Sequence, residues 1–259
     1  MIYYFSGTGN TRYVAKTIAN LLGEELKFIP YTRAENEIFT ESNLYFIFPV
    51  YSWGIPPLVL EFIEKLPASF WNSLNVGQYQ IHCIMTCGDE VALAPEMLIK
   101  VLQKRSQKLL SVHSVIMPNN YVLLPGFDVD SKSLEKEKLS KVPARIIEIV
   151  RSINQNEETI DVTRGKFAYI KTKWIYPLFK KWGINSKKWH YTDNCIGCGK
   201  CSRHCPEENI QMKNGHPYWG TRCCSCLACF HICPVHAVEY GKKTLKKGQY
   251  FFPDKEWQK

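Results

Sequence analysis

This sequence predicts an α/β fold: a doubly wound parallel sheet of five strands, followed by a small α+β domain. Three observations carry the prediction. Over the first 155 residues, apolar strand-like runs alternate with amphipathic helical stretches. Nine of the eleven cysteines lie between 195 and 233. The net charge of +9 is also partitioned: residues 1–155 hold 15 Lys/Arg against 15 Asp/Glu, residues 156–194 hold 8 against 4, and residues 195–259 hold 10 against 5. These breaks divide the chain into a sheet domain at 1–155, a basic aromatic linker at 156–189 and a cysteine-rich domain at 190–259, which ends in a basic tail.

The first strand is "IYYFS" (2–6), and a helix follows over 11–22 with Val14, Ile18, Leu21 and Leu22 on one face. A less apolar strand is expected near 26–30. "LYFIFPV" (44–50) is a continuous apolar run, the pattern of a strand covered on both faces, and "IHCIMT" (81–86) and "SVHSVIM" (111–117) repeat it. Helices are expected at 56–65, 91–105 and 133–153. In such a sheet a ligand binds beyond the carboxyl ends of the strands, at the point where the strand order reverses. The loops expected there are 6–11, 50–57, 86–90 and 118–121. No apolar run reaches the ~18 residues of a membrane span. Met1 leads straight into "IYYF" without the order of a signal peptide, so a cytoplasmic protein is expected.

Cys195, Cys198, Cys201 and Cys205-Pro206 spell C-x2-C-x2-C-x3-C-P, and Cys223, Cys226, Cys229 and Cys233-Pro234 spell it again. This is the bacterial run for two [4Fe–4S] clusters, in which the fourth cysteine of each run ligates the other cluster. Zinc also uses C-x2-C pairs, but a zinc site takes four ligands, and two identical runs of four are an odd way to build two such sites. Gly197 and Gly199 suit a backbone that turns sharply around sulfur. "IQMKNGHPYW" (210–219), with Asn-Gly at its middle, reads as a hairpin joining the two runs. Cys224 is extra to the spacing and reads as a spare thiol beside a ligand. His204 and His231, inside the runs, are expected to face solvent or sulfur. Residues ~190–241 resemble a bacterial two-cluster ferredoxin domain. That resemblance implies Cys195, Cys198, Cys201 and Cys233 on one cluster, and Cys205, Cys223, Cys226 and Cys229 on the other.

"SGTGNT" after the first strand matches the flavodoxin phosphate loop, [S/T]-x-T-G-x-T. Ser6, Gly7, Thr8, Gly9, Asn10 and Thr11 supply hydroxyls and backbone N–H groups at a helix N-terminus, a seat for the FMN phosphate without a lysine. "PVYSWGIPP" (49–57) resembles the next flavodoxin loop. It assigns Pro49, Val50, Tyr51, Ser52, Trp53 and Gly54 to the isoalloxazine, with Tyr51 or Trp53 as the stacking ring. "TCGDE" (86–90) contributes Thr86, Cys87 and Gly88 to the other edge, and "MPNNY" (117–121) adds Asn119 and Tyr121. Cys87 reads as a small residue of its loop and Cys83 as core. The G-x-G-x-x-G fingerprint of a dinucleotide fold is absent. Together the halves resemble the flavodoxin–ferredoxin fusion family of the EFR1 type, over residues 1–~150 and ~190–241. Two features depart from an unremarkable member: Trp53 where a small residue would serve, and the acids of "PEENI" beside a cluster ligand.

Residues 162–192 hold eight Lys/Arg, no Asp/Glu and eight aromatics. Such text suits single-stranded nucleic acid or a membrane surface. The favoured expectation is that Trp174, Tyr176, Phe179 and Trp182 pack between the domains while the lysines stay in water. Two oxidised clusters at about −2 each and a phosphate at about −2 would lower the holo-protein's charge to near +3. An external electron carrier, acidic in character, is the expected partner; nucleic acid is not expected, and a membrane surface is the less favoured alternative. The functional expectation is electron transfer between two [4Fe–4S] clusters and FMN in an anaerobic cytoplasm. Its rivals are an FMN-dependent reductase of a small substrate and a redox sensor or scaffold. No acid–base constellation lies near the flavin loops.

Overall fold

The computed structural model describes residues 1–38, 43–75 and 79–252. The main sheet comprises β1 (Ile2–Tyr4), β2 (Leu26–Phe28), β3 (Asn43–Pro49), β4 (Gln80–Cys87), β5 (Ser111–Ile116) and β6 (Thr159–Asp161). All pairings are parallel, in the order β2-β1-β3-β4-β5-β6. Five of these strands lie where the apolar runs predict them. The sixth, β6, is a short polar edge strand paired with β5 through Val112↔Ile160, in the stretch the charge pattern marks as linker. Three residues with one apolar side chain give no periodic signal.

Helices α1 (Asn10–Leu22), α2 (Pro57–Lys65), α3 (Ala68–Asn75), α4 (Ala94–Gln103) and α5 (Lys132–Asn154) connect the strands. Pro57 and Pro95 open α2 and α4 in the first turn, where a missing N–H breaks no helical bond. The oxygen of Ser131 caps α5 by accepting from Leu134 N–H at 3.3 Å. On α1, Val14 and Ile18 are buried as expected, whereas Leu21 is 48 % exposed. Helix α3 is an addition to the sequence reading.

Alternation along β1 sends Tyr3 to one core and Ile2 and Tyr4 to the other. The first core packs Tyr3, Phe46, Phe48, Phe62 and Leu98 between the sheet and α2 and α4. The second packs Tyr45, Ile47, Val14, Ile18 and Ile146 against α1 and α5. Each face buries large apolar side chains, each worth roughly 1.5–3 kcal/mol.

The cysteine-rich domain is built on two antiparallel pairs. One joins β7 (Trp189–Tyr191) to β10 (Val238–Tyr240); the other is the hairpin of β8 (Ile210–Lys213) and β9 (His216–Trp219). Asn214 (φ 49°) and Gly215 (φ 79°) turn that hairpin, as the Asn-Gly pair predicts. The domains interlock in both directions. Cys224 is part of the first sheet core, while Val122 and Leu123 from the loop after β5 enter the core of Trp189, Phe230 and Tyr240.

Candidate functional site

Four loops meet at the carboxyl ends of β1, β3, β4 and β5. They enclose a cavity of about 50 Å³ lined by Ser6, Gly7, Thr8, Asn10, Thr11, Pro49, Val50, Tyr51, Thr86, Cys87, Gly88, Met117, Pro118 and Asn120. Strand order reverses between β1 and β3, so the site sits where a doubly wound sheet places one. Gly9, at φ 99°, turns the chain into α1, a conformation costly for any residue with a Cβ. Its N–H donates to Ser6 Oγ at 3.3 Å. The first-turn N–H groups of α1 have no acceptor within the helix and carry the positive end of its dipole.

The polar side chains of this loop already have partners. Asn10 donates Nδ2–H to Pro118 O (3.0 Å) and accepts from Tyr250 Oη (2.6 Å), leaving its backbone N–H as what it offers a ligand. Thr11 and Thr86 share a hydroxyl–hydroxyl bond of 2.7 Å, and Thr8 Oγ1 accepts from Asn120 Nδ2 at 2.6 Å. The cavity is of phosphate size, and the side of its wall formed by residues 6–11 offers hydroxyls and backbone N–H groups, so these residues fit a phosphate. Admitting the ring of a flavin here requires Tyr51 and the loop carrying Cys226 to separate.

Several residues assigned to this site by sequence lie outside its wall. Ser52 (φ 46°) and Trp53 (φ 64°) form a left-handed turn closed by Tyr51 and Gly54. Trp53 swings away: its Nε1–H donates to Glu90 at 2.8 Å, and Lys171, paired with the same carboxylate, lies over its ring. Gly54 lies against the ring of Tyr176, where a Cβ would collide. Tyr51 is therefore the ring at the cavity. Asn119 is bound instead to Asp130 and Asp89, and Tyr121 meets Phe127 edge to face at the edge of the cysteine-rich core. Asn120 takes the place expected of Asn119. The "NN" pair gives two registers and the sequence does not say which faces inward. Burial pushes the Cys87 thiol up to about 12, so it stays protonated beside the cavity. Cys83 is core.

The cysteines form two groups that cross the sequence order. Cys195, Cys198, Cys201 and Cys233 line one small apolar pocket together with Ile196, Met212 and Pro217. Cys205 belongs with the later run. Burial first, then the charges of Cys226 and Cys223, raise its thiol to about 12, and burial also raises Cys223 to about 11. The fourth cysteines match: Asn209 N–H donates to Cys205 Sγ at 3.3 Å, and Ala237 N–H to Cys233 Sγ at 3.2 Å. Among the described residues, no three His, Cys, Asp or Glu side chains converge on a single ion. A cubane spreads four thiolates over four irons, and metal binding displaces protons that burial would otherwise retain. Cys224, buried beside Cys226, packs into the sheet core.

His204 and His231 are both buried, and His231 has both ring nitrogens bound to groups other than sulfur, contrary to the sequence reading. His204 donates Nδ1–H to Lys200 O at 3.0 Å. His231 donates Nε2–H to Asn120 O (2.7 Å) and accepts from Tyr250 N–H at Nδ1 (3.1 Å). Burial lowers its pKa to about 4 and keeps it neutral. His231 and Tyr250 thus tie the second run to both Asn120 and Asn10. Phe252 N–H completes the strap by donating to Thr8 O at 2.8 Å.

The second run also touches the phosphate loop directly. A Cβ on Gly7 would lie 2.6 Å from Cys226 O and 2.9 Å from Cys226 Cβ. Tyr51 is enclosed between the same elements: burial, then the charges of Cys226, Cys224 and Cys223, hold its phenol well above the usual range. At the other end, Cys198 and Ile196 are exposed. The expectation for the basic linker divides. Tyr176 and Phe179 are buried, but Trp174 is 67 % and Trp182 61 % exposed.

Residues 1–118 match the flavodoxin domain family, and residues 194–238 match the 4Fe-4S dicluster domain family. Comparison with curated proteins gives no match. Among solved structures, one described as "The Structure of Trp Repressor Binding Protein from Bacillus subtilis" is similar at 17 % identity. It covers 57 % of this chain and 96 % of its own, with a TM-score of 0.40. No helix among the described residues is long and apolar enough to cross a membrane. The chain joins an N-terminal flavodoxin-like parallel-sheet domain to a small C-terminal α+β domain of the ferredoxin-like dicluster kind, an architecture consistent with electron transfer between flavin and iron–sulfur centres.

Proposed function

We propose that this chain is an electron-transfer protein of the EFR1-type flavodoxin–ferredoxin fusions, carrying two [4Fe–4S] clusters and one FMN in the cytoplasm. The observation that carries the reading is the contact between Gly7 of the phosphate loop and Cys226 of the second run. Cys205, Cys223, Cys226 and Cys229 hold the inner cluster, against the loops that hold FMN. Cys195, Cys198, Cys201 and Cys233 hold the outer one, whose exposed Cys198 and Ile196 meet the external carrier. Ser6, Thr8 and the backbone of residues 7–11 hold the phosphate. Clusters supply single electrons and FMN takes one or two, which lets a one-electron carrier serve two-electron chemistry. The chain's own work is to order the groups, shut water out between them and keep the phosphate seat donor-rich.

The test is the composition of anaerobically purified protein. The expected result is about eight iron, about eight sulfide and one FMN per chain. Two zinc with little iron, or a chain that takes no flavin, would overturn it.

A further inference from the structure

The basic linker is a continuous helical stretch made of Ala168–Ile170, Lys171–Ile175, Tyr176–Leu178 and Phe179–Gly183, the second and fourth segments being π-helical. Its inner side is fixed. Thr172 Oγ1 donates to Trp53 O at 2.8 Å, Tyr176 Oη donates to Ile55 O at 2.5 Å, and Phe179 is buried. Its outer side is a row of apolar side chains at every fourth residue: Ile170, Trp174, Leu178 and Trp182 are 51, 67, 49 and 61 % exposed. Phe167, just before the helix, is 72 % exposed. The π segments are wider than 3.6 residues per turn, which keeps a four-residue repeat in line. Scattered exposed apolar residues are ordinary, but an unbroken row of this size marks a surface that meets something.

The charges around the row indicate what it meets. Lys166, Lys173, Lys180, Lys181, Lys187 and Lys188 are all exposed. Residues 162–192 contain no Asp or Glu. Where the linker's other cations do pair, as in Lys171–Glu90 and Arg164–Glu96, the acids come from the sheet domain. Trp, Phe, Leu and Ile along one line with lysines flanking it is the make-up of a helix that lies in a lipid interface. There the lysine stems cover apolar surface while their ammonium groups reach phosphate. The row is a convex ridge, which a fluid bilayer accommodates and a folded partner meets only with a matching groove.

We propose that this face docks the protein on an anionic bilayer surface, with the Ile170–Trp182 row entering the boundary between headgroups and acyl chains. The helix lies on the membrane and does not cross it. Because Thr172 and Tyr176 hold the turn at Trp53 and Ile55, docking sets one wall of the flavin loop behind the membrane-facing helix. The proposal does not depend on the cofactor assignments.

The test uses full-length protein, anaerobically purified with its cofactors, floated with vesicles of phosphatidylcholine alone or of equal parts phosphatidylcholine and phosphatidylglycerol. Binding is expected to the anionic vesicles, to weaken as salt rises, and to fall at least ~10-fold in Trp174→Ala/Trp182→Ala. Both tryptophans are exposed, so that variant should keep its fold, checked by circular dichroism. Lys180→Glu/Lys181→Glu should lose the preference for anionic lipid. No flotation with either vesicle overturns the proposal, and so does equal binding by the tryptophan variant. A wild-type dimer that this variant splits would show a second copy on the row. Equal, tryptophan-dependent binding to polyglutamate would show a protein partner instead.

Discussion

In the run Cys195–Cys205 the residues between the second and third ligands, and just before the second, are Gly199 and Gly197, at φ 70° and 67°. In the run Cys223–Cys233 the same left-handed positions are held by Leu227 (φ 61°) and Ser225 (φ 57°). A side chain there costs roughly 1–2 kcal/mol per residue, and persists only where the surroundings enforce it. The surroundings differ accordingly. Leu227 and Ser225 are buried and Cys224 reaches into the sheet core, whereas Cys198 and Ile196 face water. Identical spacing therefore specifies ligation in both runs, while the residues between the ligands specify which run is packed inward. The two runs therefore differ in place: one is exposed at Cys198 and Ile196, the other is packed against the sheet domain, and the proposed path would run from the first to the second.

Breaking one ligand from each group tests that difference most severely. Cys205→Ser should remove the inner cluster, lowering iron from about eight to about four per chain. Flavin reduction by an external one-electron donor should slow, while direct chemical reduction of FMN stays near normal. Cys233→Ser should remove the outer cluster instead. Rapid anaerobic mixing, followed at flavin and cluster wavelengths, reads all three. A lost inner cluster with no slowing of flavin reduction would take that cluster off the path.

The contact between the runs' inner member and the phosphate loop can be loosened without touching a ligand. In Gly7→Ala the new methyl meets Cys226 O, a backbone atom that cannot rotate away, so the domains must shift. Overpacking of this kind costs about 1–3 kcal/mol. Both clusters should be retained, but thermal stability should drop and external reduction of FMN should slow. An unchanged protein would mean that the second run does not seat on this loop.

Thr8→Val tests the seat itself. Its hydroxyl is held by Asn120, and a hydrogen bond to a charged group is worth about 1.5–3 kcal/mol, so FMN should bind roughly 10–100-fold more weakly. Fluorescence titration of flavin measures this, and iron content should not change. Thr11 is the poorer probe, because valine there would orphan the buried Thr86 hydroxyl.

What the sequence made legible follows from how local each signal is. Five strands, the hairpin at Asn214-Gly215 and the cysteine spacing are written in contiguous residues and lie where they were expected. Ligand-group crossing is what the motif implies, and the fold brings Cys233 into one pocket with Cys195, Cys198 and Cys201. Long-range facts were not legible. Trp53 turns to Glu90, Asn120 rather than Asn119 faces the cavity, and His231 serves Asn120 and Tyr250. Each depends on residues distant in sequence: Trp53 and Glu90 are 37 positions apart, Thr8 and Asn120 112, His231 and Asn120 111, and His231 and Tyr250 19. The basic linker misled for a different reason. Aromatic content says that a face is apolar, but not whether the chain supplies something to cover it. Tyr176 and Phe179 find cover; Trp174 and Trp182 do not.

The smallest expected effects sharpen the comparison of the runs, because they change the turn between ligands and no ligand. Gly197→Ala places a Cβ at φ 67° and 2.7 Å from Gly215 O, so strain and contact act together. The expected cost is about 1–2 kcal/mol, read as faster iron loss to a chelator from the outer cluster. Ser225→Gly moves the other way. Glycine relieves a left-handed strain of similar size at φ 57°, but it also frees the unfolded chain by about 0.5–1 kcal/mol. The net gain is then small, and iron loss from the inner cluster should be unchanged or slightly slower. Both variants keep all eight ligands, so the contrast isolates the turn. If Ser225→Gly released iron as fast as Gly197→Ala, the serine would be making a contact that outweighs its strain. The inner run would then be held by that side chain rather than by the packing of Cys224 and Leu227 around it.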